Sequence, residues 1–196
     1  MLKTLVILAC GAFLLSACGG SPQATKGKAF LLYEQGKYEE SLPLLEKSFA
    51  GGLDDPELVV RLAYCRSEVK GDVTAAIEIL RDSALRYPDY ARTYYQLGFI
   101  AYNHGPDESQ QNIKQAIGFT RRAADLAPQD FKIIDNLGMF YLLTDQFDSA
   151  LARFDQALKI NPEDAELKTR IAQAKDFKQR LAEVDSLAAK DTLRLK

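Results

Sequence analysis

A pattern that returns about every 34 residues limits what this 196-residue chain can fold into more than any other feature. From Phe131 to Asp164 it reads Ile134, Leu137-Gly138, Tyr141, Ala150, Phe154, Ala157 and Pro162. Upstream, residues 91–130 place Tyr94, Leu97-Gly98, Ala116, Ala123 and Pro128 in the same slots, with six extra residues, from Asn103 to Glu108, near the middle. Residues 56–90 carry Val59, Leu62-Ala63, Ala76, Leu80, Ser83 and Pro88. Residues 22–55 offer Ala29, Leu32, Gly36, Tyr38, Ser41, Leu45 and Ser48, without the closing proline. Small residues at fixed slots let two helices cross closely, and the proline cannot continue the helix before it.

This pattern resembles the tetratricopeptide repeat, W-x2-L-G-x2-Y…A-x3-F…P, with Ile134 in the tryptophan slot. The resemblance runs from Pro22 to Asp164 and implies an all-α fold: four helix-turn-helix repeats (22–55, 56–90, 91–130 and 131–164) in a right-handed superhelix. Such a stack requires caps. A long C-terminal helix, from about Glu163 to about Lys190 within segment 165–196, is expected to serve as one, since Leu167, Ile171, Ala174, Phe177, Leu181, Val184 and Ala188 share a face. Its second half admits two readings: a cap that packs or frays along its length, or a partner or dimer seam through Phe177, Leu181 and Val184.

In this family the first helix of each pair lines a concave groove. Projected here, that geometry implies a protein-binding surface of Phe30, Tyr33, Tyr64, Tyr95, Phe99, Tyr102 and Met139, with Asp135 beside it. Aromatic side chains give large contact area at small entropic cost. The same residues also suit a helix seam, so both roles stay open. Charged-clamp members of the family hold a peptide carboxylate with lysine, arginine and asparagine. Phe30, Tyr64 and Phe99 stand in their place here, which argues for a hydrophobic or extended peptide. The 103–108 insert reads as a neutral extension or a recognition loop, and Asp107 with Gln110 resembles a capping box opening the next helix.

The lead segment concerns location. Lys3, the apolar run Leu5 to Leu15 and the small residues Ser16-Ala17 form an export signal too short to span a bilayer. Leu15-Ser16-Ala17-Cys18 resembles the lipobox of bacterial lipoproteins. That resemblance implies removal of residues 1–17, a diacylglycerol and an N-acyl lipid on Cys18, and attachment to an envelope membrane through several chains. Gly19 replaces the aspartate that retains some Gram-negative lipoproteins in the inner membrane, which favours the outer membrane facing the periplasm if the source is Gram-negative. Residues 18–22 form the lipidated N-terminus and a short linker. From Gly19 to Pro22 that linker reaches at most about 15 Å.

Loss of Lys3 takes lysine and arginine from 25 to 24 against 27 acids, leaving no basic footprint for nucleic acid. Catalytic chemistry has little to build on. His104 is the sole histidine, Cys65 falls in a helix, and no metal-ligand spacing or phosphate-binding glycine loop occurs. The expected function is non-enzymatic and without cofactor: a membrane-anchored adaptor assembling an envelope complex. A constitutive structural subunit of such a complex is the alternative.

Overall fold

Helix boundaries in this protein are written by aspartates, serines, glycines and prolines. The computed structural model describes residues 21–105 and 110–194. The lipobox, Cys18, insert residues Pro106, Asp107 and Glu108, and the side chain of Ala188 lie outside the described residues. The described residues form nine helices and no strand. They divide into two compact units, with the boundary between Asp54 and Asp55.

The first unit pairs α1 (Pro22–Glu34) with α2 (Tyr38–Ala50). Ser21 caps α1 by accepting the Ala24 N–H at 3.2 Å, and Pro22 occupies a first-turn position where a missing N–H matters least. Glu39 and Glu40 in the first turn of α2 and Lys47 in its last suit the helix dipole. Gly36 turns the chain between them at φ 73°, a left-handed conformation that favours glycine. The pair closes over the fully buried Ala29 and Leu45. Ser41 Oγ donates to the Ala29 carbonyl at 2.8 Å, and Ser48 Oγ to the Pro22 carbonyl at 3.2 Å. Two polar side chains thus lie in a close helix crossing with their hydrogen bonds made.

The second unit contains α3 (Pro56–Glu68), α4 (Val73–Arg86), α5 (Ala91–His104), α6 (Gln110–Leu126), α7 (Phe131–Leu142), α8 (Phe147–Ile160) and α9 (Ala165–Arg194). Each helix packs on the next, and α3 also meets α5, so the pairs stack. Asp55 caps α3 through the Glu57 and Leu58 amides, and Asp130 caps α7 through Lys132 and Ile133. Pro88, Pro128 and Pro162 each stand two residues beyond a helix end.

The Leu-Gly slot shows why the period exists. A Cβ on Gly138 would lie 2.6 Å from the Phe154 ring, and one on Gly98 would lie 2.4 Å from Thr120 Oγ1. Glycine lets α7 approach α8, and α5 approach α6, at these points. Around Phe154 the fully buried Ile134, Leu137, Ala150, Ala157 and Leu167 complete the core. The terminal helix starts at Ala165 and ends at Arg194, later at both ends than its pattern suggested. Asp164 is the reason at the start: its carboxylate accepts the Leu167 N–H at 2.8 Å, so it caps the helix from outside. Past residue 190 the chain carries no glycine or proline to stop the helix.

Candidate functional site

Helices α5 and α7 are the first helices of successive pairs and run parallel. Residues four apart on each line up along one face. Tyr95, Phe99 and Asn103 on α5, with Asp135 and Met139 on α7 and Leu143 just past its end, follow that spacing. With Tyr102, Asn136, Phe140 and Arg170 they enclose a cavity of about 310 Å³. Five of the residues expected in the groove are therefore brought together: Tyr95, Phe99, Tyr102, Asp135 and Met139. Tyr64 on α3 adjoins them, its ring 5.8 Å from that of Phe99. Phe30 and Tyr33 belong to the first unit. There Lys26 Nζ stands 5.4 Å from the Phe30 ring centre, and Tyr33 packs edge-on against Tyr38 at 5.0 Å.

The cavity has an apolar wall and a polar end. Tyr102 and Phe140 lie 5.1 Å apart on the wall, an aromatic contact of ordinary geometry. Tyr102 is exposed, while Tyr95, Phe99 and Met139 are half-buried, so aromatic area is open to a ligand. At the polar end Asn136 donates its side-chain amide to the Tyr95 hydroxyl. Burial holds the Tyr95 phenol above its ordinary pKa, and nearby Asp130 and Asp135 push the same way. Tyr95 is therefore a neutral hydroxyl at physiological pH.

Arg170 is the least expected member. It comes from α9 and is held by Asp135 on one side and Glu166 on the other. The Asp135 hydrogen bond tightens its hold on its proton. Two carboxylates already engage this guanidinium, so it does not stand ready for a ligand's carboxylate. The other carboxylate oxygen of Asp135, Oδ1, is buried without a hydrogen-bond partner. Sequence reasoning missed Arg170, Asn103, Asn136, Phe140 and Leu143. Asn103 and Leu143 were within reach, because each lies four residues beyond a recognised groove residue, Phe99 and Met139. Arg170 lies 35 residues after Asp135, about one repeat on, in a segment read only as a cap.

The proposed seam residues Phe177, Leu181 and Val184 lie elsewhere, exposed on the distal half of α9. His104 Nε2 is 2.5 Å from Glu68 Oε1, and Cys65 is fully buried in α3. Among the described residues no group of three histidines, cysteines or carboxylates is placed to hold a metal ion, and no helix is long and apolar enough to cross a membrane.

Known proteins share this fold. Two profiles described as tetratricopeptide repeat match residues 28–51 and 58–90. Tetratricopeptide repeat protein 21B of Xenopus laevis is 30% identical over 149 residues, which are 74% of this chain but only 11% of that protein. Among solved structures, MamA from Desulfovibrio magneticus RS-1 superposes with a TM-score of 0.66 at 18% identity, covering 89% of this chain and 94% of that one. MamA of AMB-1 gives 0.62 at 22% identity, covering 83% and 85%. YrrB, titled a TPR protein with an unusual peptide-binding site, gives 0.59 at 18% identity over 78% and 75%. Residues 28–51 and 58–90 therefore match tetratricopeptide repeat models, and the chain shares the helix-pair fold of these solved structures.

Proposed function

We propose that this protein is a non-enzymatic adaptor that receives an extended, hydrophobic peptide segment of another protein in the α5–α7 cavity, while a lipid on Cys18 holds it at an envelope membrane. The observation that carries the reading is the open aromatic wall of Tyr95, Phe99 and Tyr102, backed by the buried Phe140, in a cavity large enough for one or two side chains. Tyrosine and phenylalanine are enriched where recognition energy concentrates. Asn136 at the polar end and Asn103 toward the opposite end suit the N–H and C=O groups of an extended backbone. Arg170, already paired, disfavours a ligand read by its terminal carboxylate. Peptide binding in YrrB, a protein of the same fold, is consistent with this use of the surface.

Anchoring rests on the Leu15-Ser16-Ala17-Cys18 motif. With α1 beginning at Pro22, only four residues would separate the lipidated cysteine from the second residue of the first helix, and the repeats would start near the headgroups. An outer-membrane position facing the periplasm follows from Gly19 if the source is Gram-negative. The decisive experiment is photo-crosslinking from Tyr95 or Phe99 in native membranes, with crosslinked peptides identified by mass spectrometry. A recurring apolar segment from one or a few proteins is expected. Unchanged capture by a Tyr95→Ala, Phe99→Ala double variant would refute the cavity as the binding surface. Many substoichiometric partners would mark an adaptor, and one fixed stoichiometric complex a constitutive subunit.

A further inference from the structure

The distal half of α9 runs past the end of α7 and leaves an apolar face exposed. α7 and α9 run in the same direction, and Arg170 meets Asp135 seven residues before α7 ends at Leu142. Seven residues on from Arg170 is Phe177, so α9 leaves α7 behind there. Lys178 pairs with Asp148 in the first turn of α8, and Leu181, Ala182 and Asp185 border an open groove with the α7–α8 turn, the last element beside α9. Residues 177–194 make about 27 Å of helix past the end of α7. On this stretch Phe177, Leu181, Val184 and Leu187 are 51, 47, 60 and 62% exposed. The face they continue is buried upstream as Leu167, Ile171 and Ala174. An apolar helical stripe that runs out of core and into solvent marks an interaction surface.

Charge order says what covers it. Within six residues of Leu181, Lys175, Lys178 and Arg180 precede it and Glu183 and Asp185 follow it; Lys190 and Arg194 lie farther on. Asp176, the exception, is bound by Arg180 one turn on. Lys178 and Asp185 sit two turns apart on one edge of the stripe, equally spaced about the Leu181–Ala182 midpoint. A second helix of the same sequence, laid antiparallel about that midpoint, brings each Lys178 opposite the partner's Asp185, so that Lys178 exchanges its solvent-exposed pair with Asp148 for one across the seam. A parallel helix would set lysine against lysine.

We propose that the distal half of α9 is a self-association surface, on which a second copy of this chain packs its own α9 antiparallel. Phe177, Leu181 and Val184 form the seam, and two Lys178–Asp185 pairs fix direction and register. One helix pair of five turns falls short of the roughly 1,200–2,000 Å² of a standard stable interface. The dimer therefore dissociates on dilution.

The test is the molar mass of the purified full chain in one fixed detergent, measured by light scattering over a dilution series. The expected result is a monomer–dimer equilibrium that Leu181→Glu with Val184→Glu converts to monomer at every concentration. Lys178→Asp alone and Asp185→Lys alone should each weaken the dimer about tenfold. Together they should restore it, because exchange recreates both pairs. Both stripe positions are exposed, so the variants' helicity and melting should match the parent. A monomer throughout overturns the proposal, as does a dimer indifferent to the stripe substitutions or a charge exchange without rescue. Binding of lipid vesicles through the stripe by a chain that stays monomeric overturns it as well.

Discussion

Two glycines near the middle of their helices face opposite fates on substitution. Gly118 in α6 is exposed, and a Cβ there would meet nothing within 4 Å. Gly118→Ala should raise stability by about 1 kcal/mol through helix propensity alone. Gly138 in α7 is buried against Phe154, so Gly138→Ala should cost about 1–3 kcal/mol by overpacking. Paired denaturant titrations give both values. Equal effects at the two sites would contradict the close α7–α8 crossing. Tyr90 is a second residue with a directional consequence. Its hydroxyl donates to Glu57, which Arg61 and Arg92 also hold. Burial first, then the Glu57 hydrogen bond and charge, raise the Tyr90 pKa above 10.0. The folded state therefore keeps a proton that the unfolded chain gives up above about pH 10. Stability from this group is complete below that pH and is lost as pH rises beyond it. Tyr90→Phe should flatten the alkaline fall in melting temperature.

α9 enters the candidate site through one side chain. Replacing Arg170 by methionine keeps the length and removes the cation, leaving Asp135 largely buried with neither oxygen partnered. A loss of about 1–3 kcal/mol is expected, and Asp135→Asn in the same chain should recover part of it. A double-mutant cycle measures that coupling; additive losses would mean that the two residues act separately. Much of the helix plan was legible in sequence, because it rests on local chemistry: Asp55 before Pro56, Gly36 at a left-handed turn, prolines just past helix ends. The Leu97-Gly98 and Leu137-Gly138 pairs likewise announced close crossings. The cavity was legible only along α5 and α7, where residues four apart share a face. Its polar end was not, since Asp135, Tyr95, Asn136 and Arg170 come from three helices and meet only through packing. The α7–α8 turn was also hidden. There Asp145, not glycine, adopts φ 57°, which aspartate tolerates better than most residues.

For the whole protein, location and recognition separate cleanly under substitution. Cys18→Ser should release the chain from the membrane fraction on lysis and leave the melting of the repeats unchanged. Retention of that variant at the membrane would refute the lipid anchor. Tyr95→Ala with Phe99→Ala should do the reverse, abolishing capture without moving the protein. The two experiments address different parts of the chain, so neither outcome is hidden by the other.

The fully buried thiol of Cys65 has a practical consequence at this same scale. A sulfur enclosed in α3 reacts only when the packing around it opens, which makes it a clock for that opening. The labelling rate of the peptide carrying Cys65 therefore reads the opening free energy of its part of the second unit under native conditions, in a membrane or in a crude extract. A ligand that seats in the α5–α7 cavity should slow that clock by the factor its binding predicts. The chain carries its own reporter of occupancy, with no label added beforehand.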